Sequence, residues 1–131
     1  MPGVNPVAVA VATVVAFLLS GGYYTVLSGR LARLSPAYAE PGGMSAAKVV
    51  LELVRTVVLA AVIAGLVGAL GIEGPAPALL LAVLLWIGFP ATLLSGSVLH
   101  EAVPPLLAAI HAGDWLLKLL VITGIVGAWP S

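Results

Sequence analysis

Four long apolar runs organise the chain, at about residues 4–27, 45–70, 78–99 and 105–129, each long enough for a membrane-spanning helix of about 20 residues. Polar punctuation separates them. The first connection, SGRLARLSPAYAEPGG (28–43), mixes Pro, Gly and charge and reads as the longest loop. GIEGPAP (71–77) and HEAVPP (100–105) are short. The pattern therefore predicts an all-α chain: a polytopic, antiparallel four-helix transmembrane bundle forming one domain over 1–131. Ser45 is placed to cap the second helix, and Pro105 suits the first turn of the fourth. Pro90 falls inside the third, where it removes the bond to the Trp86 carbonyl and predicts a kink.

Composition removes the soluble alternative. Hydrophobic residues make up 62% of the 131 positions and charged residues 8%, against roughly 45–50% and 25% in soluble domains. The first run has no basic n-region and is too long for a signal-peptide core, so it is expected to remain as a helix. There is no cysteine, which excludes disulfides, thiolate metal sites and thiol nucleophiles. The formal net charge is zero, leaving no basic surface for nucleic acid.

The charges are distributed by side. Arg30, Arg33, Lys48, Arg55 and Lys118 all fall at the ends of helices facing the first and third connections. By the positive-inside rule this predicts both termini outside the cytoplasm and the first and third connections inside. Glu40, Glu52, His100, Glu101, His111 and Asp114 lie on the same side, and Glu73 alone lies opposite.

Several of these groups are deeper than the interface. Counting back about 20 residues from Trp129 reaches Ile110, so His111 sits at the inner boundary, and Asp114 and Lys118 lie about 6 and 12 Å further in. His111, Asp114 and Lys118 (i, i+3, i+7) share one helix face, as do Glu52 and Arg55 (i, i+3). A charge near the bilayer centre costs about 2.5–3.5 kcal/mol. These faces are therefore expected to turn inward and pair across the contact between the second and fourth helices. The alternative is that Asp114 and Lys118, at i, i+4, satisfy each other while Arg55 snorkels.

Small residues recur every fourth position at Ala8, Ala12, Ala16 and Ser20, at Ala60, Ala64 and Gly68, and at Gly88, Thr92 and Gly96, predicting close helix packing. His111 with Asp114 is the candidate catalytic acid–base pair. His100, Glu101, His111 and Asp114 match no established metal-ligand spacing, so no metal and no cofactor is expected.

The stretch from Trp86 to Trp129, closing in the helix IHAGDWLLKLL, together with GGYYTVLSGR at the end of the first helix, resembles a bacterial membrane family labelled domain of unknown function 1761. The resemblance extends over essentially all four spans. It implies that Tyr23, Tyr24, Trp86, His100, Glu101, His111, Asp114, Trp115 and Lys118 are family motifs, and it brings no activity with it.

The expectation from the residues is a transporter-like or small-molecule and lipid-binding protein. Its polar pocket would open to the cytoplasm and be lined by Glu52, Arg55, His111, Asp114 and Lys118, with Tyr23, Tyr24, Trp86, His100 and Glu101 close by. Four helices enclose little volume, so a homo-oligomer in the lipid bilayer is expected. An intramembrane enzyme for a lipophilic substrate and a structural subunit of a membrane complex are the alternatives.

Overall fold

A computed structural model describes residues 4–39 and 45–129, and Glu40 lies outside the described residues. The described chain is helical: α1 (Pro6–Val26), α2 (Ser28–Leu34), α3 (Ala46–Ala69), α4 (Pro75–Trp86), α5 (Thr92–Glu101) and α6 (Pro105–Ala128). A π-helical turn, Ile87–Ala91, joins α4 to α5 into one span, Pro75–Glu101. Four helices, α1, α3, α4–α5 and α6, are long and apolar enough to cross a membrane, and the chain is a multi-pass membrane protein.

Local signals explain the helix ends. The Asn5 side chain accepts from the Val7 and Ala8 amides at the start of α1, and Ser45 accepts from the Lys48 amide at the start of α3, each satisfying N–H groups that a helix start leaves without partners. After α3, Gly71 adopts a left-handed φ of 65°, which lets the Ile72 amide turn back onto the Val67 carbonyl at 3.0 Å. The third span begins at Pro75 rather than near Ala78, because Pro at the first helical position costs no hydrogen bond.

The first connection differs from the expected loop. Ser28–Leu34 is helical and Pro36–Tyr38 forms a 3₁₀ turn. The reason is tertiary: Leu31 is fully buried and pins α2 against α1 and α6, which offsets the weak propensity of so short a helix.

Pro90 lies inside the π turn Ile87–Ala91. The i+5 pattern of a π turn opens the ring where proline has no N–H to give. The Thr92 hydroxyl donates to the Ile87 carbonyl at 2.8 Å, tying the first residue of α5 to the first of the π turn.

α6 is the hub of the bundle. It packs against α1 on one side, α3 on another and α4–α5 on a third, whereas α3 and α4, neighbours in sequence, share little direct contact. The core is Ala12, Ala16, Ala60, Ile63, Val67, Ala82, Leu119 and Ile122, while Val and Leu residues such as Val14, Leu18, Val58, Leu80 and Leu93 face outward. This small-in, large-out arrangement follows from lipid being as apolar as leucine. Close backbone approach gains dispersion, and burying a large side chain gains no transfer energy.

The α1 stripe Ala8, Ala12, Ala16, Ser20 is buried as its spacing predicts. The other two stripes are only partly so: Ala60 and Ala64 are buried but Gly68 is exposed, and Gly88 and Thr92 are exposed. The third span instead packs through Ala78 and Ala82, because α4 meets α6 ahead of the π turn, and that turn shifts the helical phase of α5.

Candidate functional site

The five residues His111-Ala112-Gly113-Asp114-Trp115 lie in the first half of α6 and meet side chains from α1, from the third span and from the next turn of α6 itself. α1 presents Ser20, Tyr23 and Tyr24 on one face, the i, i+3, i+4 positions of a helix. Ser20 Oγ donates to Asp114 Oδ1 at 2.5 Å. The Tyr23 hydroxyl donates to the Ile110 carbonyl at 2.7 Å, and the Tyr24 hydroxyl lies 2.7 Å from His111 Nδ1. From the third span, Trp86 Nε1 donates to the Ala112 carbonyl at 2.8 Å.

Gly113 makes room for this. A Cβ there would collide with the Tyr23 hydroxyl, so glycine is what lets the tyrosine reach the α6 backbone. Gly113→Ala is expected to cost about 1–2 kcal/mol through overpacking and a lost hydrogen bond. Tyr23→Phe in the same chain should recover part of that loss, since it removes the colliding oxygen. Thermal midpoints of the two single variants and the double variant in one detergent would check this, and simple additivity would contradict the geometry.

Asp114 carries the charge at the centre of the site. Its Oδ2 lies 2.9 Å from Lys118 Nζ, and both side chains are over nine-tenths buried. Lys118 Nζ also stands 5.3 Å from the Trp115 ring centroid, a cation–π distance. On α3, Arg55 pairs with Glu52 one turn away. The ion pairs thus close within α6, as the i, i+4 alternative for Asp114 and Lys118 has it, and within α3, rather than between the two helices. Residues three or four apart on a helix meet without any help from a neighbour.

The two pairs nevertheless share a space. Glu52, Arg55, Thr56 and Leu59 from α3, with Trp115 and Lys118 from α6, line a cleft of about 50 Å³, enough for a few water molecules and open at Arg55, whose side chain is 64% exposed. It is a cleft between two helices, and of the lining expected from sequence it has Glu52, Arg55 and Lys118 but not His111 or Asp114.

His111 faces elsewhere, into an aromatic cluster. Tyr24 and Tyr38 stack with ring centroids 6.4 Å apart, and both lie within 6.3 Å of the imidazole. The Tyr38 hydroxyl, outside the spans, is held above the ordinary phenol pKa by burial and then by the negative charges of Asp114 and Glu52, so it remains a neutral donor.

The structure therefore brings together Tyr23, Tyr24, Trp86, His111, Asp114, Trp115 and Lys118, with Glu52 and Arg55 across the cleft. His100 and Glu101 are exposed at the end of α5 and, among the described residues, make no side-chain hydrogen bond or ion pair. Among the described residues no three His, Asp or Glu side chains converge as metal ligands.

Sequence reasoning missed Ser20 as a partner of Asp114, counting it only as a small packing residue, although its shared face with Tyr23 and Tyr24 was a usable signal. It also missed Tyr38, which no periodicity marks, and the role of Gly113.

No curated protein and no solved structure shows significant similarity to the chain. Residues 7–127 match the family described as "Protein of unknown function (DUF1761)". That match takes in all four spans, with the tyrosines of α1, Trp86 and the His-Ala-Gly-Asp-Trp segment, and the chain belongs to this family.

Proposed function

We propose that the protein is a transporter-like, ligand-binding protein of the bacterial inner membrane, with both termini outside, that holds a small polar or amphiphilic molecule at the cytoplasmic end of α3 and α6. One observation carries this reading. The cleft places an exposed guanidinium, paired with Glu52, beside Thr56, Trp115 and Lys118, next to the face of α3 on which Val54, Val57 and Val58 are exposed. Pairing with Glu52 and snorkelling offset the cost of the charge and leave the outer edge of the guanidinium free to meet a ligand.

Binding is better supported than passage through one protomer. Immediately beyond Lys118, α6 presents Leu119 and Ile122 to Ala12, Ala16, Ala60 and Ile63, an apolar plug. A route to the outer side would run between copies of the chain, and this is the reason to expect a homo-oligomer. Acid–base catalysis has less support, because Tyr24 occupies His111 Nδ1, and Ser20 and Lys118 occupy the two Asp114 oxygens.

Native mass spectrometry of the protein extracted with its own membrane tests the proposal. The expected result is a retained small molecule in the wild type that is lost in Glu52→Gln/Arg55→Gln, at unchanged helix content. Wild type and variant carrying identical retained species would overturn it.

A further inference from the structure

A second surface lies on α1, built from residues that take no part in the α3–α6 cleft. Leu18, Leu19, Gly22, Tyr23, Val26 and Leu27 line an open groove of about 480 Å³ with an almost wholly apolar wall. Gly22 forms its floor: a Cβ there would meet nothing within 4 Å. Leu18 and Val26 are among the most exposed large side chains of α1. At about 1.5 Å per residue, the 21 residues of α1 just cover the hydrocarbon thickness of about 30 Å, so the groove's Leu27 end is at headgroup level.

There the chain bends. Leu27 leaves the helical series with φ −92° and ψ 4°, and α2 starts at the next residue. Leu31, fully buried, fixes α2 in place. Arg30 stands one turn after Leu27, the last groove residue, and Arg33 one turn after Arg30. Both are exposed, and among the described residues neither forms an ion pair.

We infer that the elbow between α1 and α2 binds one anionic phospholipid, with an acyl chain along Leu18, Leu19, Gly22 and Val26 and the phosphate against Arg30 and Arg33. Apolar length ending in cationic charge at the interface is the complement of such a lipid. A second copy of the chain fits the surface less well, since a two-fold contact through α1 would bring the same arginines towards each other. Tyr23 lines this groove and also donates to α6, so the bound chain lies directly against a helix contact of the polar site.

The test uses the full-length protein, delipidated and titrated with phosphatidylglycerol or phosphatidylcholine, with lipid retention read by native mass spectrometry. Phosphatidylglycerol should be retained preferentially, by about five-fold for each arginine. Arg30→Gln/Arg33→Gln should abolish the preference. Gly22→Leu, whose Cβ meets open space, should lower retention of both lipids about ten-fold at unchanged helix content and thermal midpoint. Equal retention of the two lipids by the wild type, or unchanged retention in Gly22→Leu, would overturn the inference. So would Gly22→Leu dissociating an oligomer while leaving lipid bound, which would assign the groove to a second copy. Because α3 and the cleft are untouched by these variants, loss of the small molecule and loss of the lipid are separable results.

Discussion

Asp114→Asn is expected to lower stability in lipid nanodiscs by about 3 kcal/mol, because it leaves the buried Lys118 ammonium without its carboxylate. For a chain of this size that corresponds to a fall in thermal midpoint on the order of 10 °C. Lys118→Met should be similarly damaging, leaving the carboxylate, among the described residues, with the Ser20 hydroxyl as its donor. The informative chain carries both changes. Replacing a whole buried ion pair by neutral groups of similar shape is often close to neutral, so Asp114→Asn/Lys118→Met should recover most of the loss. A double variant as unstable as the sum of the singles would show that the two charges do not act as a pair. The same set bears on the polar layer: if the double variant is stable but no longer retains the small molecule, Asp114 and Lys118 serve binding as well as neutralisation.

Gly127→Ala should cost about 2 kcal/mol, through the contact between α4 and α6 at the end opposite the polar site. A Cβ at Gly127 would overlap that of Ala78 and would also stand 3.5 Å from the Gly74 carbonyl. The Gly74 contact is an ordinary one, but the Ala78 methyl is fixed to its backbone and cannot swing aside, so the helices themselves must separate. The Gly74 amide, which donates to the Gly127 carbonyl at 3.1 Å, shifts with them. Ala78→Gly removes the obstructing carbon, at a helix-propensity cost of about 1 kcal/mol. The chain carrying both changes should therefore be more stable than Gly127→Ala alone. Differential scanning fluorimetry of the four chains measures this, and a double variant no better than Gly127→Ala would mean that α4 and α6 do not meet at this point.

Much of the helical layout was legible because membranes restrict the choices. A run of about 20 apolar residues has few alternatives to a helix, and Ser45, Gly71 and Pro105 supply local stop and start chemistry that needs no tertiary information. The α1 stripe was legible for the same reason, since its four-residue spacing persists through an uninterrupted helix. The stripe Gly88, Thr92, Gly96 was misleading because Pro90 breaks the period within it, and a π turn adds a residue that no spacing rule anticipates.

The polar site was legible in content and not in connection. That His111, Asp114 and Lys118 share a face follows from helical geometry, but their partners depend on which helix covers each direction of α6. The chain alone could not distinguish pairing across helices from pairing within one, because both neutralise the same four charges. Close packing of α6 on α1 decided it, delivering Ser20 to Asp114 and Tyr24 to His111. Arg55 was left at the exposed edge of the cleft, where its nearest partner is Glu52 on its own helix.

By itself, then, the sequence determined what the solvent dictates: four spanning helices, because hydrocarbon cannot satisfy backbone polar groups, and the small-residue stripe of α1, because dispersion favours close backbone approach in lipid. Tertiary structure decided what depends on angle around a helix axis: that α6 sits at the hub, that Leu31 turns an apparent loop into α2, and that Gly113 admits a tyrosine to the backbone. Those outcomes rest on contacts between residues far apart in the chain, and hydrophobic periodicity, which records only burial, carries no record of the partner.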